Sequence, residues 1–366
     1  MGVRAAVLQA PGQIAVQTVP DDVPPDSHNV LLRVGGVGLC GSDLLRYAEG
    51  TAYHYPIILG HEFSGVVEEA PAGSAIKPGT KVAVFPLVPR PDDPMTELGE
   101  WALGEGYDYF GSRRDGALRE RMWVPERNLV PLPSSMPLVT AAAVEPVAVA
   151  LHGVAKLVPP PFGSVLVMGA GAIGAFAAQW LRLLGWTRVV VADVDPRKRE
   201  VVAGLGFEVA QSAKQALELA GGFDAAVEAT GVPSCLIDCL EAPRPRGQVL
   251  ILGDLKGDVT LPRALVSSLI RRELVVRGSW NSRVVPAGRS EWDRAVAAIA
   301  SGEMAVDPII SQVAALEDAP EVFAAMAART RWFNKIVFAV GAQARSETPP
   351  NWHTSTQPHP NGRNES

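Results

Sequence analysis

The sequence has few of the features that mark a secreted, membrane or nucleic-acid-binding protein. It contains only 3 cysteines among 366 residues, too few for a disulfide framework, which predicts a reducing cytoplasm. The 33 Lys and Arg residues stand against 39 Asp and Glu residues, so we expect no binding to nucleic acid or to an anionic membrane. No apolar run is long enough to span a bilayer, and the N-terminus lacks a signal-peptide pattern.

What is present describes a globular chain with room for two domains. Hydrophobic residues make up 47% of the sequence and charged residues 20%, and this length suits two domains of ordinary size. The stretch 164–195 is the most informative. A short apolar run, Val165–Met168, leads into the letters GAGAIG and a helical pattern, and a second apolar run, Arg188–Ala192, ends on Asp193.

The GAGAIG motif predicts a dinucleotide site. Gly169 permits a tight turn, Gly171 lets the backbone approach a pyrophosphate, and Gly174 lets the following helix pack against the strand. The helix N-terminus can then face the phosphates. Because the motif lies between a strand and a helix, we assign the phosphate contacts to these glycines and to the intervening Ala172 and Ile173.

Asp193 predicts which cofactor is preferred. A carboxylate at the end of the second strand can accept hydrogen bonds from the adenosine ribose hydroxyls, and it repels the 2′-phosphate of NADP. NAD is therefore favoured. Arg197 and Lys198 follow closely and keep NADP open as the less favoured alternative.

The strand and helix patterns continue to alternate as far as residue 252, which predicts a doubly wound parallel sheet. Ligands bind at the carboxyl ends of the strands in such sheets. Small residues follow two of the predicted strands. We therefore expect Thr230, Gly231, Leu252 and Gly253 to line the nicotinamide half of the cofactor site.

The first part of the chain predicts a mostly β domain with a candidate metal site. Short β-like runs alternate with Pro, Gly and Asp turns, and Cys40, His61 and Glu62 follow near predicted strand and helix ends. A thiolate, an imidazole and a carboxylate suit Zn²⁺ and leave a position open for water or substrate. Spacing alone also allows a buried cysteine, a core histidine and a surface acid.

Glu145 is a further candidate. It is the one acid in an Ala/Val-rich run with a helical pattern that extends from Met136 to Lys156 and contains Pro146. A lone carboxylate in such surroundings needs a partner, and a metal ion is a suitable one.

Several motifs together resemble the zinc-dependent medium-chain dehydrogenases. They are CGSD at Cys40–Asp43, GHEFSG at Gly60–Gly65, EP at Glu145–Pro146 and the GAGAIG motif. The letters GSRRDGALRE at 111–120 and RRELVVRGSW at 271–280 are similar to the galactitol-1-phosphate dehydrogenase branch of the polyol dehydrogenases. The resemblance extends from about residue 3 to residue 340, with the motifs in the family's order.

The resemblance implies an α/β fold in two domains. A GroES-like, β-rich catalytic domain takes residues 1–146 and 280–340, and a Rossmann doubly wound parallel-sheet domain takes residues 147–279. Residues 341–366 lack periodicity and are rich in Pro, Ser, Thr and Asn, which predicts a disordered tail. A homodimer or homotetramer is implied by the family alone.

The resemblance also implies one catalytic zinc held by Cys40, His61 and Glu62, with Glu145 as a further ligand, direct or through water. Ser42 is the candidate to hydrogen-bond the substrate hydroxyl and begin proton release, and His54 is a second relay candidate. Glu62 counts among the catalytic residues as well as the ligands.

One departure from the family pattern concerns a second, structural zinc. Family members usually bind it through four cysteines in one lobe, and the corresponding residues here are Arg90, Asp93, Thr96 and Gly104. None supplies a thiolate, so no structural zinc is expected. An Arg90–Asp93 pair, packing of Trp101 and Tyr107, or a subunit contact are the candidates to hold the lobe.

These features predict a zinc- and NAD-dependent oxidoreductase that interconverts a secondary alcohol and a ketone by hydride transfer. The substrate class is a polyol, sugar phosphate or cyclitol, and Arg46, Arg113 and Arg114 are candidates to meet a phosphate. Alternatives are an aminocyclitol dehydrogenase, a zinc-free NADP-dependent quinone or enone reductase, and a non-catalytic NAD-binding protein.

Overall fold

The computed structural model describes residues 2–348, and the chain divides into two units. Of the described residues, the first unit holds those up to Glu145, the segment Arg283–Ala300 and those from Val306 onward. The second holds Pro146–Ser282 and Ser301–Ala305. The boundaries expected from the sequence, 146/147 and 279/280, do not include the short return at 301–305. None of the described helices is both long and apolar enough to cross a membrane.

The described strands are short, as the dense turn signals predict. They are β1 (Gly2–Ala10), β2 (Gln13–Pro20), β3 (Asn29–Gly38), β4 (Ile57–Ile58), β5 (Glu62–Glu69), β6 (Lys81–Val84), β7 (Leu87–Val88), β8 (Asp108–Tyr109), β9 (Arg121–Pro125), β10 (Leu129–Pro131), β11 (Ser164–Met168), β12 (Arg188–Ala192), β13 (Glu208–Ala210), β14 (Phe223–Glu228), β15 (Pro243–Ile251), β16 (Val275–Gly278), β17 (Ile310–Ala315) and β18 (Lys335–Ala339).

The described α-helices begin mostly at Pro, Gly or a capping residue. They are α1 (Gly41–Glu49), α2 (Pro94–Glu97), α3 (Leu138–Ala141), α4 (Val144–Val154), α5 (Ala172–Leu183), α6 (Pro196–Gly204), α7 (Ala213–Ala220), α8 (Pro233–Glu241), α9 (Arg263–Arg272), α10 (Glu291–Ser301), α11 (Ala319–Ala327) and α12 (Gly341–Glu347).

The first unit is built mainly from antiparallel strands. Its largest sheet has the order β10-β6-β5-β3-β18-β17, with β9 paired to β3, and a smaller sheet has the order β2-β1-β4. Strand β3 is central and buried along nearly its whole length. Its ladder with β5 brings Gly38 opposite Glu62, so the end of β3, the following Cys40 and the start of β5 lie side by side.

The second unit contains one parallel sheet of order β13-β12-β11-β14-β15-β16. Strand β11 is buried at every position, as expected for a strand covered on both faces. The order places β11 in the middle, so chain segments leave β11 and β14 toward opposite edges. The predicted α/β class with a parallel dinucleotide-type sheet is confirmed.

The lobe at residues 90–106 is held by the carboxylate of Asp93. Its Oδ1 accepts the N–H of Met95 at the start of α2 (2.7 Å), and its Oδ2 accepts the N–H of Glu105 (2.7 Å). A Cβ on Gly104 would lie 3.1 Å from that carboxyl group. Backbone N–H groups are thus the partners of the Asp93 carboxylate, and the candidate Arg90–Asp93 ion pair is not formed among the described residues.

Two further contacts close the lobe. The Thr96 hydroxyl donates to the carbonyl of Arg90 (2.8 Å), and Trp101 is buried with its ring 5.8 Å from that of Phe85. Arg90, Asp93, Thr96 and Gly104, the positions where the family resemblance implies thiolates, therefore lie close together.

The C-terminal expectation requires a correction. Helix α12 forms at the start of the segment that the sequence predicts to be disordered. It packs against β3 and α3, and Glu347 joins Lys81 (3.0 Å) and the N–H of Leu138 (3.1 Å). These partners are distant in sequence, so local composition does not reveal them. The rest of the predicted tail lies outside the described residues.

Candidate metal centre and cofactor site

Three of the predicted ligands converge in the first unit. One ligand atom each from Cys40, His61 and Glu62 lies within 4.8 Å of the others, and no other group of this kind occurs among residues 2–348. His61 and Glu62 are buried and Cys40 is half-buried. Of the four residues predicted to bind metal, Glu145 stands outside this group.

The backbone around each ligand explains the convergence. Cys40 is the N-cap residue of α1 and donates its N–H to Asp43 Oδ2 (3.1 Å). His61 and Glu62 follow a turn at Gly60, whose φ is +96° and whose Cβ position would lie 2.7 Å from Val37. Only glycine fits such a turn without strain, so the Gly-His-Glu order fixes where both ligands emerge.

Asp43 is the buried partner of His61, a role that the sequence interpretation did not assign to it. His61 Nδ1 lies 3.4 Å from Asp43 Oδ1. Burial opposes ionisation of both groups, but the Asp43 carboxylate raises the pKa of His61 well above its ordinary value. In return, His61 and then Arg46 lower the pKa of Asp43 despite its burial.

Lys335 is a second residue that the sequence interpretation missed. Its ammonium group is buried in β18, donates to the carbonyl of Leu39 (2.9 Å) and forms an ion pair with Glu62 Oε2. The one sequence feature that could have indicated this role is a single lysine at the start of the apolar run Lys335–Val340. Its partner lies 273 residues away, so the pairing cannot be read from a local pattern.

Glu145 lies in the first turn of α4 and is buried. Burial, and after it the neighbouring Glu62 carboxylate, raise the pKa of Glu145 to about 7. The two carboxyl groups therefore interact electrostatically, although Glu145 is not one of the three converging ligands.

The two relay candidates have different surroundings. The Ser42 hydroxyl accepts a hydrogen bond from Arg46 Nη1 (2.9 Å), and Arg46 Nη2 donates to the Ser112 hydroxyl (2.9 Å). His54 is exposed, and its Nδ1 lies 3.0 Å from the carbonyl of Pro56. None of the hydrogen bonds among the described residues joins His54 to Ser42.

The donor set fits a zinc ion. One thiol, one imidazole and one carboxylate are a suitable set for Zn²⁺ with an open position. His61 Nδ1 lies 3.4 Å from Asp43 Oδ1. A carboxylate beside one ring nitrogen is the common arrangement when the other ring nitrogen of a histidine binds a metal.

The second unit carries the predicted cofactor residues at the carboxyl edge of its sheet. Gly169 and Gly171 lead from β11 into α5, whose N-terminus has no side-chain cap. A Cβ on Gly174 would lie 1.9 Å from the carbonyl oxygen of Gly169, so only glycine allows this packing. The uncapped N–H groups at Ala172 and Ile173 can bind a phosphate.

Asp193 lies directly after β12. Its Oδ2 accepts the N–H of Ala170 (2.8 Å) and its Oδ1 the N–H of Asp195 (2.8 Å). Both oxygens retain lone pairs for ribose hydroxyls. Arg199 donates to the carbonyls of Asp193 (2.7 Å) and Val194 (2.9 Å).

Glu228 organises the loops after β14 and β15 and was not selected from the sequence. It is fully buried and accepts the N–H groups of Thr230 (2.7 Å) and Gly231 (3.0 Å). Its own carbonyl accepts the N–H groups of Leu252 and Gly253, both at 2.9 Å. The structure thus brings together the four residues predicted to line the nicotinamide half.

Comparisons with known proteins agree with this arrangement. Residues 26–134 match the family described as alcohol dehydrogenase GroES-like domain, and residues 172–301 match the family described as zinc-binding dehydrogenase. Galactitol 1-phosphate 5-dehydrogenase of Escherichia coli strain K12 is 31% identical over 314 residues, 83% of this chain and 90% of that protein. The chain belongs to the zinc-dependent medium-chain dehydrogenases.

Solved structures of family members extend the likeness. The crystal structure of galactitol-1-phosphate dehydrogenase from Escherichia coli matches with a TM-score of 0.85 at 29% identity, covering 92% of this chain and 99% of that one. A zinc-binding dehydrogenase from Sinorhizobium meliloti 1021, bound to NADP, matches with a TM-score of 0.83 at 27% identity, covering 93% and 99%. The family assignment confirms the predicted GroES-like and Rossmann architecture, and the chain is an alcohol or polyol dehydrogenase.

Proposed function

We propose that this dehydrogenase uses zinc and NAD to interconvert a secondary alcohol and a ketone on a polyol, sugar phosphate or cyclitol. The observation that carries the proposal is the convergence of Cys40, His61 and Glu62 within 4.8 Å in a chain of the zinc-dependent family. A zinc ion in this group supplies Lewis acidity toward the substrate's hydroxyl oxygen, and NAD supplies the hydride acceptor.

The protein's residues have separate roles in this proposal. Cys40, His61 and Glu62 hold the ion, with Glu145 as a further ligand, direct or through water. Ser42 hydrogen-bonds the substrate hydroxyl and begins proton release, passing its own hydroxyl proton on to solvent as it accepts the proton of the substrate. Since Arg46 donates to the Ser42 oxygen, the Ser42 hydroxyl hydrogen can be donated to a different acceptor. His54 remains a second relay candidate, although its Nδ1 lies beside the carbonyl of Pro56 in its own loop.

NAD is the preferred cofactor in this proposal. Asp193 presents two acceptor oxygens where the adenosine ribose would bind, and Arg199 is occupied by backbone carbonyls. Phosphate contacts fall to residues 169–174, and the nicotinamide half is lined by Thr230, Gly231, Leu252 and Gly253. The NADP bound in the Sinorhizobium meliloti relative keeps NADP as the second candidate.

Self-association is also part of the proposal. Strand β16 lies at the edge of the parallel sheet and exposes Val275 and Val276. An open strand edge with apolar side chains is a natural pairing site. We infer a homodimer or homotetramer in which this edge forms an interface. The three free cysteines are consistent with the cytoplasm as its location.

A substrate panel tests the proposed function. The purified chain with zinc is given NAD or NADP and a series of polyols, polyol phosphates and cyclitols, including aminocyclitols, and NADH or NADPH absorbance is followed. We expect NAD reduction with at least one class, and loss of turnover in Cys40→Ala but not in the control Cys239→Ala. Full turnover by zinc-loaded Cys40→Ala, or activity restricted to quinones or enones with NADPH, would contradict the proposal.

A further inference from the structure

Arg46, Arg113 and Arg114 lie on segments near the metal group, by which we mean Cys40, His61 and Glu62. Two of these arginines already have polar partners. Arg46 donates to the Ser42 and Ser112 hydroxyls and lies 3.4 Å from Asp43 Oδ1. Arg114 forms an ion pair with Asp108 at 3.3 Å. Neither is available to neutralise a charge on a ligand without losing these partners.

Arg113 differs from both. Its guanidinium carbon lies 4.4 Å from the ring centroid of Tyr107 and 5.2 Å from that of Tyr53, and Nη1 donates to the Tyr107 carbonyl (2.6 Å). Among residues 2–348, no carboxylate forms an ion pair with it. A guanidinium held against aromatic faces keeps its in-plane N–H groups available for a planar, two-point contact.

Arg113 is connected to the metal group by successive ring contacts. The rings of Tyr107 and Tyr109 lie 6.4 Å apart, and Tyr109 lies edge-on to His61 at 5.7 Å. The loop that carries Arg113 is also fixed to the Gly60 turn, because the Ala117 N–H donates to the Gly60 carbonyl (2.9 Å). An available cation is therefore held in a defined position on the same side of the unit as His61.

Tyr53 is 67% exposed, so this end of the aromatic row opens to solvent. A substrate whose reacting hydroxyl lies at the metal group would extend along Tyr109 and Tyr107 toward Arg113. Charge-assisted, two-point hydrogen bonds from arginine favour oxyanions over neutral hydroxyl groups.

We propose that Arg113 is the specificity-determining residue that selects substrates carrying an oxyanion, a phosphate or a carboxylate, at the end remote from the reacting hydroxyl. The inference rests on the proposed function, and it narrows the polyol class to polyol phosphates or sugar acids. The chemistry shared by both is two anionic oxygens on one central atom, which a guanidinium can bind at two points.

The test compares three substrates and two variants. A neutral hexitol, its 1-phosphate and the corresponding hexonate are assayed with zinc and NAD for the wild type, Arg113→Gln and the control Arg114→Gln. Loss of a charged hydrogen-bond pair should raise KM for the preferred anionic substrate in Arg113→Gln by about 10- to 100-fold, with kcat and the KM for the neutral hexitol nearly unchanged. Arg113→Lys should restore part of the loss, and Arg114→Gln should behave like the wild type.

The outcomes separate this inference from the function on which it rests. A preference for the phosphate or for the hexonate identifies which oxyanion is recognised. Equal KM values for all three substrates, or an equal loss for neutral and anionic substrates in Arg113→Gln, would overturn the role of Arg113 alone. Absence of NAD reduction with every substrate would overturn the proposed function and the inference together.

Discussion

Lys335 is the residue on which the charge balance of the metal group depends. Its ammonium group is buried beside the Glu62 carboxylate and is anchored by the Leu39 carbonyl. Such a pair costs desolvation energy, and removing one partner leaves the other charge uncompensated. A zinc ion would place a second positive charge beside the same carboxylate.

Replacing Lys335 by methionine should destabilise the metal-free protein. We expect the free energy of unfolding to fall by about 3 kcal/mol in urea titrations with a chelator, because Glu62 is left buried and unpaired. Zinc should recover part of the loss, since the ion compensates the carboxylate. The exposed Lys214→Met serves as control. Equal stability of the wild type and Lys335→Met without metal would contradict this assignment.

The role of a residue could be predicted where it depends on the neighbouring sequence. It could not be predicted where it depends on a partner that is distant in sequence. Cys40, His61 and Glu62 could be selected as candidate ligands because they lie in two recognisable motifs, CGSD at 40–43 and GHEFSG at 60–65. Asp43 belongs to the first of these motifs, but its partnership with His61 becomes evident only in the folded structure. Lys335 and Glu228 act through buried contacts that apolar strand patterns do not reveal.

At the level of elements, the lobe at residues 90–106 is closed by hydrogen bonds of its own side chains. Asp93 joins the start of α2 to Glu105 across 12 positions, and Thr96 and Trp101 complete the closure. The sequence shows that the lobe has no cysteine. It did not reveal that the Asp93 carboxylate accepts two backbone N–H groups there.

Asp93→Ala should loosen this lobe selectively. Loss of the helix cap alone is worth about 1 kcal/mol, and the Glu105 bond is lost with it. We expect faster hydrogen exchange at the amides of Met95 and Glu105, with the neighbouring Asp92→Ala unaffected. Since we expect no structural zinc in a lobe without thiolates, a chelator should leave lobe exchange in the wild type unchanged. Chelator-sensitive exchange there would argue for a bound ion instead.

Helix α12 forms in a segment whose amino-acid composition predicts disorder. Burial raises the pKa of Glu347, but hydrogen bonds from Lys81, Gln343 and the Leu138 N–H outweigh burial and hold it below its ordinary value. The ion pair therefore stabilises the fold above the unfolded-state pKa and is lost as pH falls through the lowered value. Tertiary contacts of this kind override a weak local propensity.

For the whole molecule, strand and helix alternation predicted the parallel sheet, because each βα unit carries its own apolar period and turn glycines. The β-rich unit was predicted only as a class. Its sheet order brings β18 from the end of the chain between β3 and β17, and short antiparallel strands give no local sign of which strands pair.

The exposed edge of the parallel sheet gives a prediction about assembly. Val276→Glu places a charge on β16, which should oppose strand pairing between two chains. Analytical ultracentrifugation should show a dimer or tetramer for the wild type and a smaller species for the variant. Val158→Glu, at another exposed apolar site of the same unit, is the control. An assembly of unchanged size in Val276→Glu would exclude this edge as an interface.

The zinc content of the purified protein tests the central claim most directly. Elemental analysis should find about one zinc per chain in the wild type, because one group of three ligands converges and we expect no zinc in a lobe without thiolates. Cys40→Ala, folded to the same extent by circular dichroism, should retain almost no zinc. A wild type that binds no zinc, or a Cys40→Ala variant that keeps a full equivalent, would contradict the account.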